Sequence, residues 1–191
     1  MNLKIGQIPV TRENDILWMR QKPPVFGKIL ESNRIAQVLN IDEGDIDQFS
    51  IQEVSTGLPF IVAPLKSLDA LKRVQIDKEK YFKLIEGLDA KAILVFCPET
   101  YNSKNCLNTR VFADFYGVSE DPATGSANGC LAAYLVKHRY FNTNNIEIRV
   151  EQGYEIKRPS LLFLKAEEKE NGDIDVMVGR KGVMVAGGEF V

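Results

Sequence analysis

The sequence predicts an α+β fold in which a curved, mixed β-sheet wraps around a central helix. Strand-like stretches outnumber helical ones along the 191 residues, and few strand–helix–strand units occur in succession. Residues 127–136 form a helical stretch that is apolar almost all round, and a helix of that kind is buried on every side. In a protein rich in sheet, such burial favours a sheet that curves around the helix.

The first half of the chain alternates short strands with short helices. Residues 3–10 and 15–20 are predicted strands joined by a turn at 12–15, and residues 52–55 and 60–63 are strands flanking a turn at 56–59. Residues 92–96 form a short apolar run typical of a buried strand. Three helices are predicted to be capped by Ser32, Ser67 and Asp77, whose side chains can accept from the first helix amides.

The second half is predicted to be mostly strand after the central helix. Strands are expected at 146–151, 161–166, 174–178 and 183–190, and Asn171-Gly172-Asp173 predicts a hairpin turn between two of them. The acidic stretch at 42–47 predicts a solvated loop in the first half.

The composition argues against several classes of function. The formal net charge is −2 and basic residues do not cluster, so nucleic acid is not an expected partner. No apolar stretch approaches the roughly 20 residues of a membrane span, and the first residues are too polar for a signal peptide. Three cysteines without a CxxC spacing indicate reduced thiols in a cytoplasmic protein, and a single histidine gives no histidine-based metal site.

The most informative segment is the run Glu-Asp-Pro-Ala-Thr-Gly-Ser-Ala at residues 120–127, between a strand-like and a helix-like stretch. Free amides point out of a helix start, and the helix dipole favours negative charge there. Gly125 lets a ligand approach the backbone closely, and Ser126 adds a hydroxyl. Asp121, five residues before Ser126, would supply a proton donor or acceptor. The run therefore predicts a pocket for a small organic acid.

This run resembles the signature of the phenazine-biosynthesis-like (PhzF-like) isomerases, which share the fold of diaminopimelate epimerase. Further segments match in the family's order, at residues 6–10, 18–21, 54–59, 110–112, 151–153, 158–160, 178–179 and 183–189. The resemblance implies two similar lobes, each a curved sheet around a helix, with the active site in the cleft between them. It also implies proton shifts on small carboxylic acids without a metal or organic cofactor.

The resemblance further implies a domain organisation. Residues 1–30 correspond to the remaining strands of the first lobe, and residues 31–191 to the second lobe with the motif. The family's early segment, which carries a general-base glutamate and a histidine, has no counterpart here, so the chain is expected to be truncated relative to the family. Residues 154–157 also depart from the family pattern.

The resemblance assigns roles to six residues. Asp121 is the expected catalytic acid or base, with helix capping as the alternative. Thr124, Gly125, Ser126 and Ala127 are expected to bind the substrate carboxylate, with plain N-capping by Thr124 or Ser126 as the alternative. Gly57 is expected at the edge of the cleft, where a simple turn glycine is an equal alternative.

Four other residues near the motif have competing interpretations. Arg110 pairs either with Asp121 or a substrate carboxylate, or forms a structural ion pair. Glu120 either orients Asp121 or is structural. Cys130 is expected to be a buried core thiol, although related racemases use cysteine pairs. His138 is expected to complement the helix C-terminus and to take no part in catalysis.

Three functional hypotheses follow. The first is a PhzF-like isomerase or epimerase that performs cofactor-independent proton transfer on a small carboxylic acid, with its second acid/base group supplied from elsewhere. The second is a non-catalytic truncated remnant, or one subunit of a split enzyme, with anion binding at most. The third is a self-associating module that makes contact through residues 1–30.

Overall fold

The computed structural model describes residues 9–182, together with the backbone of residues 2–3 and 6–7. The described strands are β1 (Asn2–Leu3), β2 (Gly6–Gln7), β3 (Val10–Glu13), β4 (Ile16–Arg20), β5 (Val25–Leu30), β6 (Ile51–Ser55), β7 (Pro59–Pro64), β8 (Ala92–Cys97), β9 (Leu107–Ala113), β10 (Val118–Asp121), β11 (Asn145–Gln152), β12 (Ser160–Glu168) and β13 (Ile174–Lys181). The described α-helices are α1 (Ser32–Leu39), α2 (Leu68–Arg73), α3 (Lys78–Ile85) and α4 (Gly125–Lys137). The predicted strand at 183–190 and part of the one at 3–10 lie outside the described residues.

One large mixed sheet organises the fold. Its strand order is β3-β4-β13-β12-β11-β9-β8-β7-β6-β5, and β10 pairs along the second half of β9. The β7–β8 and β9–β11 pairs are parallel, and the other neighbours are antiparallel. Only residues 21–24 connect β4 to β5, although these strands lie near opposite ends of the order. Because so short a segment spans little distance, the sheet curves until its two ends approach each other.

Helix α4 lies inside this curve, as the sequence predicts. Residues 127–136 are all buried, and residues 127 and 130–136 form one core with inward-facing side chains of the sheet. Phe60 and Leu94 contribute to this core from strands β7 and β8, and Leu164 and Val176 contribute from strands β12 and β13. The predicted α+β fold with a sheet wrapped around a central helix is confirmed.

Helices α1, α2 and α3 cover the outer face of the same sheet. Ile61, Ile93 and Val95 alternate with the inward-facing residues of their strands and form a second core with these helices. Strand β8 is therefore buried on both faces, which explains the continuous apolar run that predicted it.

The predicted helix starts are confirmed at two of three places. The side chains of Ser67 and Asp77 accept from backbone amides three residues later, each at 3.1 Å. The prediction for Ser32 is wrong, because Glu31 occupies the N-cap position and the Ser32 hydroxyl donates to Glu43 instead.

Two loop predictions need correction at their boundaries. Strand β3 continues to Glu13, so the turn predicted at 12–15 is confined to residues 14 and 15. The acidic stretch at 42–47 includes a 3₁₀ turn rather than only solvated loop, in which Asp42 and Asp45 cap each other's backbone amides.

Candidate active site

The motif joins the end of β10 to the start of α4. Strand β10 ends at Asp121, and α4 begins at Gly125, two residues before the predicted helical stretch at 127–136. Gly125 is exposed, and a Cβ added there would meet nothing within 4 Å, so open space lies in front of the helix start. Ser126 is half-buried and Ala127 is fully buried. The first amides of α4 thus face the surface where an anion can bind.

A β-bulge in β10 determines which way Asp121 points. Val118 pairs with Ala113, but Asp121 pairs with Val111, so three steps along β10 match two steps along β9. Val111 belongs to the inner core around α4. Residues opposite each other share a face of the sheet, so the extra residue places Asp121 on the inner face, beside the start of α4.

Asp121 is held by a hydroxyl and an amide rather than by a cation. The hydroxyl of Thr124 donates to Oδ2 of Asp121, and Nε2 of Gln152 donates to the Asp121 carbonyl at 2.6 Å. Nε2 of Gln152 also donates to Oγ1 of Thr124 at 3.0 Å. The Thr124 hydroxyl, expected to bind substrate, is therefore engaged with Asp121. Asp121 itself is half-buried, within reach of a ligand at the helix start.

The loop between Asp121 and α4 is fixed from the strand β11 side. Ser160 donates to the Pro122 carbonyl at 2.6 Å, and Asn128 donates from α4 to Oε1 of Gln152 at 2.8 Å. Gly153 has φ +81°, and a Cβ there would lie 2.9 Å from the Pro122 oxygen. Sequence reasoning gave Gln152 and Asn128 no role, since they lie 24 residues apart and only the fold brings them together.

The turn that contains Gly57 packs against α4 one helical turn beyond its start. Gly57 is exposed with φ +136°, a conformation that favours glycine. The hydroxyl of Thr56 lies 3.7 Å from Sγ of Cys130, and a Cβ at Gly129 would lie 3.1 Å from the same hydroxyl. Because Gly129 has no side chain, the turn can approach α4 closely. Gly57 therefore lies beside α4, whose N-terminus forms part of the candidate site.

Arg110 is engaged with Glu120 on the opposite face of the sheet. Its Nε and Nη2 donate to the two carboxylate oxygens of Glu120 at 3.0 and 2.8 Å. Its Nη1 donates to the carbonyls of Leu71 and Val74 at 2.9 Å each, at the end of α2. Both charged side chains are about nine-tenths buried. This geometry supports the structural alternative for Arg110 and Glu120.

The other two residues near α4 also have structural surroundings. Burial raises the pKa of the Cys130 thiol to about 11, so Cys130 behaves as a core thiol. Burial lowers the pKa of His138, whose Nε2 lies 2.9 Å from Oε1 of Gln52. The lowered pKa reduces the positive charge that His138 contributes at the end of α4, where Lys137 and Arg139 also lie.

The described residues contain neither a metal-binding cluster nor a membrane-spanning helix. Within residues 9–182, no group of three or more histidine, cysteine or acidic side chains is arranged to hold a metal ion. None of the helices in that range is long and apolar enough to cross a membrane.

The chain belongs to the phenazine biosynthesis-like protein family, PhzC-PhzF, whose sequence profile it matches over residues 1–188. It is similar to an uncharacterized isomerase of Clostridium acetobutylicum, at 29% identity over 192 residues. It is also similar to the trans-2,3-dihydro-3-hydroxyanthranilate isomerase of Pseudomonas fluorescens, at 30% identity over 173 residues. The resemblance drawn from the motif is confirmed.

A solved structure supports the same relationship. The phenazine biosynthesis protein of the PhzF family from Bacillus anthracis superposes with a TM-score of 0.82 at 25% identity, over 93% of this chain and 63% of that one. The two sequence relatives are matched over 96% and 91% of this chain but over 64% and 58% of their own lengths. The chain therefore spans less than two thirds of the relatives it matches.

Proposed function

We propose that this chain carries one side of the active site of an isomerase that moves a proton on a small carboxylic acid, without a cofactor. The observation that carries the proposal is the placement of Asp121 beside the open start of α4, where helix amides favour an anion. Gly125, Ser126 and Ala127 hold the substrate carboxylate, with Thr124 and Gly57 at the edges of the site. Asp121 gives or takes the proton.

The chemistry of a proton shift supports a second acid or base opposite Asp121. One group removes the proton from carbon and another returns it at a different position. We propose that this second group belongs to polypeptide equivalent to the part of the relatives that the present sequence does not match, in the same chain or in another. Residues 31–191 then form the lobe with the motif, and residues 1–30 connect it to a first lobe.

Exposed apolar side chains support such a neighbour. Four of them lie within residues 9–30, at 43–67% exposure, in strands β3, β4 and β5: Val10, Leu17, Val25 and Ile29. Strands β3 and β5 are the two ends of the described sheet order, so each offers an edge for further pairing. A second copy of the chain could cover the same surface, and sedimentation of the purified protein would reveal it as a dimer.

Anion binding is the first test of the proposed function. Calorimetry with anthranilate as the probe should show saturable binding to the wild type. Ser126→Ala should weaken it by roughly 2- to 12-fold, the value of one hydrogen bond of about 0.5–1.5 kcal/mol. Ser119→Ala, at an exposed position of β10, is the matched control and should bind normally. A folded wild-type protein that binds no small acid would favour the non-catalytic remnant.

Proton transfer is the second test. The chain is incubated in D2O with trans-2,3-dihydro-3-hydroxyanthranilate, and deuterium entry into carbon positions is followed by NMR. Asp121→Asn should abolish exchange while anthranilate binding persists, since the amide cannot accept the proton at this site. Exchange that is unchanged in Asp121→Asn would contradict the role of Asp121.

A further inference from the structure

The side-chain amide of Gln152 has a fixed orientation. Its Oε1 accepts from the backbone amide of Thr124 at 3.2 Å and from Nδ2 of Asn128 at 2.8 Å. Its Nε2 donates to the Asp121 carbonyl and to Oγ1 of Thr124. An amide oxygen only accepts and an amide nitrogen only donates, so a 180° flip would lose at least the contacts with the Thr124 amide and the Asp121 carbonyl.

The orientation of the Gln152 amide determines the acceptor of the Thr124 hydroxyl proton. The hydroxyl oxygen accepts from Nε2 of Gln152, and the single O–H proton is donated to Oδ2 of Asp121. Donors therefore run in one sense from Asn128 to Gln152, from Gln152 to Thr124, and from Thr124 to the carboxylate. Gln152 and Asn128 are fully buried, so water does not compete for the contact between them.

The backbone around Gln152 is anchored as well. The Ser160 hydroxyl donates to the Pro122 carbonyl at 2.6 Å, and its oxygen also lies 3.2 Å from the Gln152 carbonyl oxygen. The Arg158 amide donates to the Gly153 carbonyl at 2.9 Å. The loop after Asp121 and the Gln152 residue that contacts it are thus both held by the segment from Gly153 to Ser160, which fixes their relative position.

We infer that Gln152, acting through Thr124, is a positioning residue that selects the oxygen of Asp121 that exchanges a proton with a ligand. Oδ2 is occupied as an acceptor, and among residues 9–182 no group donates to Oδ1. When Asp121 acts as a base, the ligand C–H bond breaks, its electron pair stays on the ligand, and the new O–H bond forms at Oδ1. The inference rests on the proposed function, because it assumes that Asp121 exchanges a proton.

The test compares Thr124→Val, which keeps the shape but removes the hydroxyl, with Thr124→Ser, which restores it. NMR at pH 7 records the ¹³Cγ signal of Asp121 and the side-chain amide signals of Gln152. Thr124→Val should move both sets of signals and slow deuterium exchange by about 100-fold, the cost of a misplaced catalytic group. Thr124→Ser should resemble the wild type in both. A folded Thr124→Val protein with unchanged signals would overturn the inference.

A second variant covers the case in which Thr124→Val does not fold. Asp121→Asn changes a half-buried side chain, and the altered acceptor should shift the Gln152 side-chain signals through Thr124. Unchanged Gln152 signals in that folded variant would also overturn the inference. Failure of the proposed function would look different: the network signals would respond as expected, but no acid would bind and no deuterium would enter the ligand.

Discussion

Glu120 and Asp121 are adjacent carboxylates at the end of β10, and the fold gives them opposite surroundings. The Glu120 side chain is 8% exposed and forms a bidentate ion pair with Arg110 on the outer face of the sheet. Asp121 is half-buried on the inner face, accepts a hydrogen bond from the Thr124 hydroxyl, and lies beside the exposed start of α4. One carboxylate is therefore committed to an ion pair, while the other has an oxygen, Oδ1, to which no group among residues 9–182 donates.

The bulge in β10 accounts for this division. If the pairing of Val118 with Ala113 continued regularly, Asp121 would lie opposite Arg110 and Glu120 opposite Val111. The extra residue shifts the register by one, and a shift of one residue moves every following side chain to the other face. A local irregularity of the sheet, rather than residue type, thus separates the structural carboxylate from the candidate acid/base.

The largest expected effect comes from removing the cation on the Glu120 side. Arg110→Met leaves a buried carboxylate without its partner and two carbonyls at the end of α2 without a donor. We expect the free energy of unfolding, measured with urea, to fall by about 3–5 kcal/mol. The control is Arg20→Met, which breaks an exposed ion pair with Asp175 and should cost far less. Equal losses in the two variants would contradict the structural role of Arg110.

A smaller effect is expected from the support of the Asp121 side. Gly153→Ala combines a positive φ with a Cβ that meets the carbonyl oxygens of Arg158 and Pro122, so the free energy of unfolding should fall by about 3 kcal/mol. Gly172→Ala is the matched control, because its φ of +83° is similar but no atom lies within 4 Å of the added Cβ. It should lose only about 1–2 kcal/mol. Similar losses of unfolding free energy in the two variants would mean that the backbone around Gly153 shifts to accommodate the added Cβ with little loss of stability.

Much of the fold could be predicted because its signals are local. The apolar stretch at 127–136 indicated burial on every side, and Ser67 and Asp77 marked helix starts through their own side chains. The true start of α4 at Gly125 was not predicted, because the two additional residues, a glycine and a serine, have low helix propensity. Packing inside the curved sheet outweighs that preference.

The candidate site was located by its motif but not explained by it. The sequence places Asp121 just before a helix, yet it contains no sign of strand β10 or of the bulge that turns Asp121 inward. Gln152 contacts Thr124 across 28 residues of chain, and such pairs follow only from strand order. A structural ion pair was one of the two interpretations of Arg110, and its contact with Glu120 on the outer face of the sheet supports that interpretation.

The smallest expected effect on stability is that of Asp121→Asn, set against the same change at Glu120. The new amide oxygen can still accept from Thr124, and the lost charge near the helix start is worth less than about 1 kcal/mol. Glu120→Gln should cost about 2 kcal/mol, because a hydrogen bond to the buried Arg110 guanidinium loses its charged acceptor. Urea unfolding of both variants in the same buffer measures the difference. If Asp121→Asn were the more destabilising of the two, Asp121 would be the structural carboxylate, and a proton-exchange role for it would lose its main physical support.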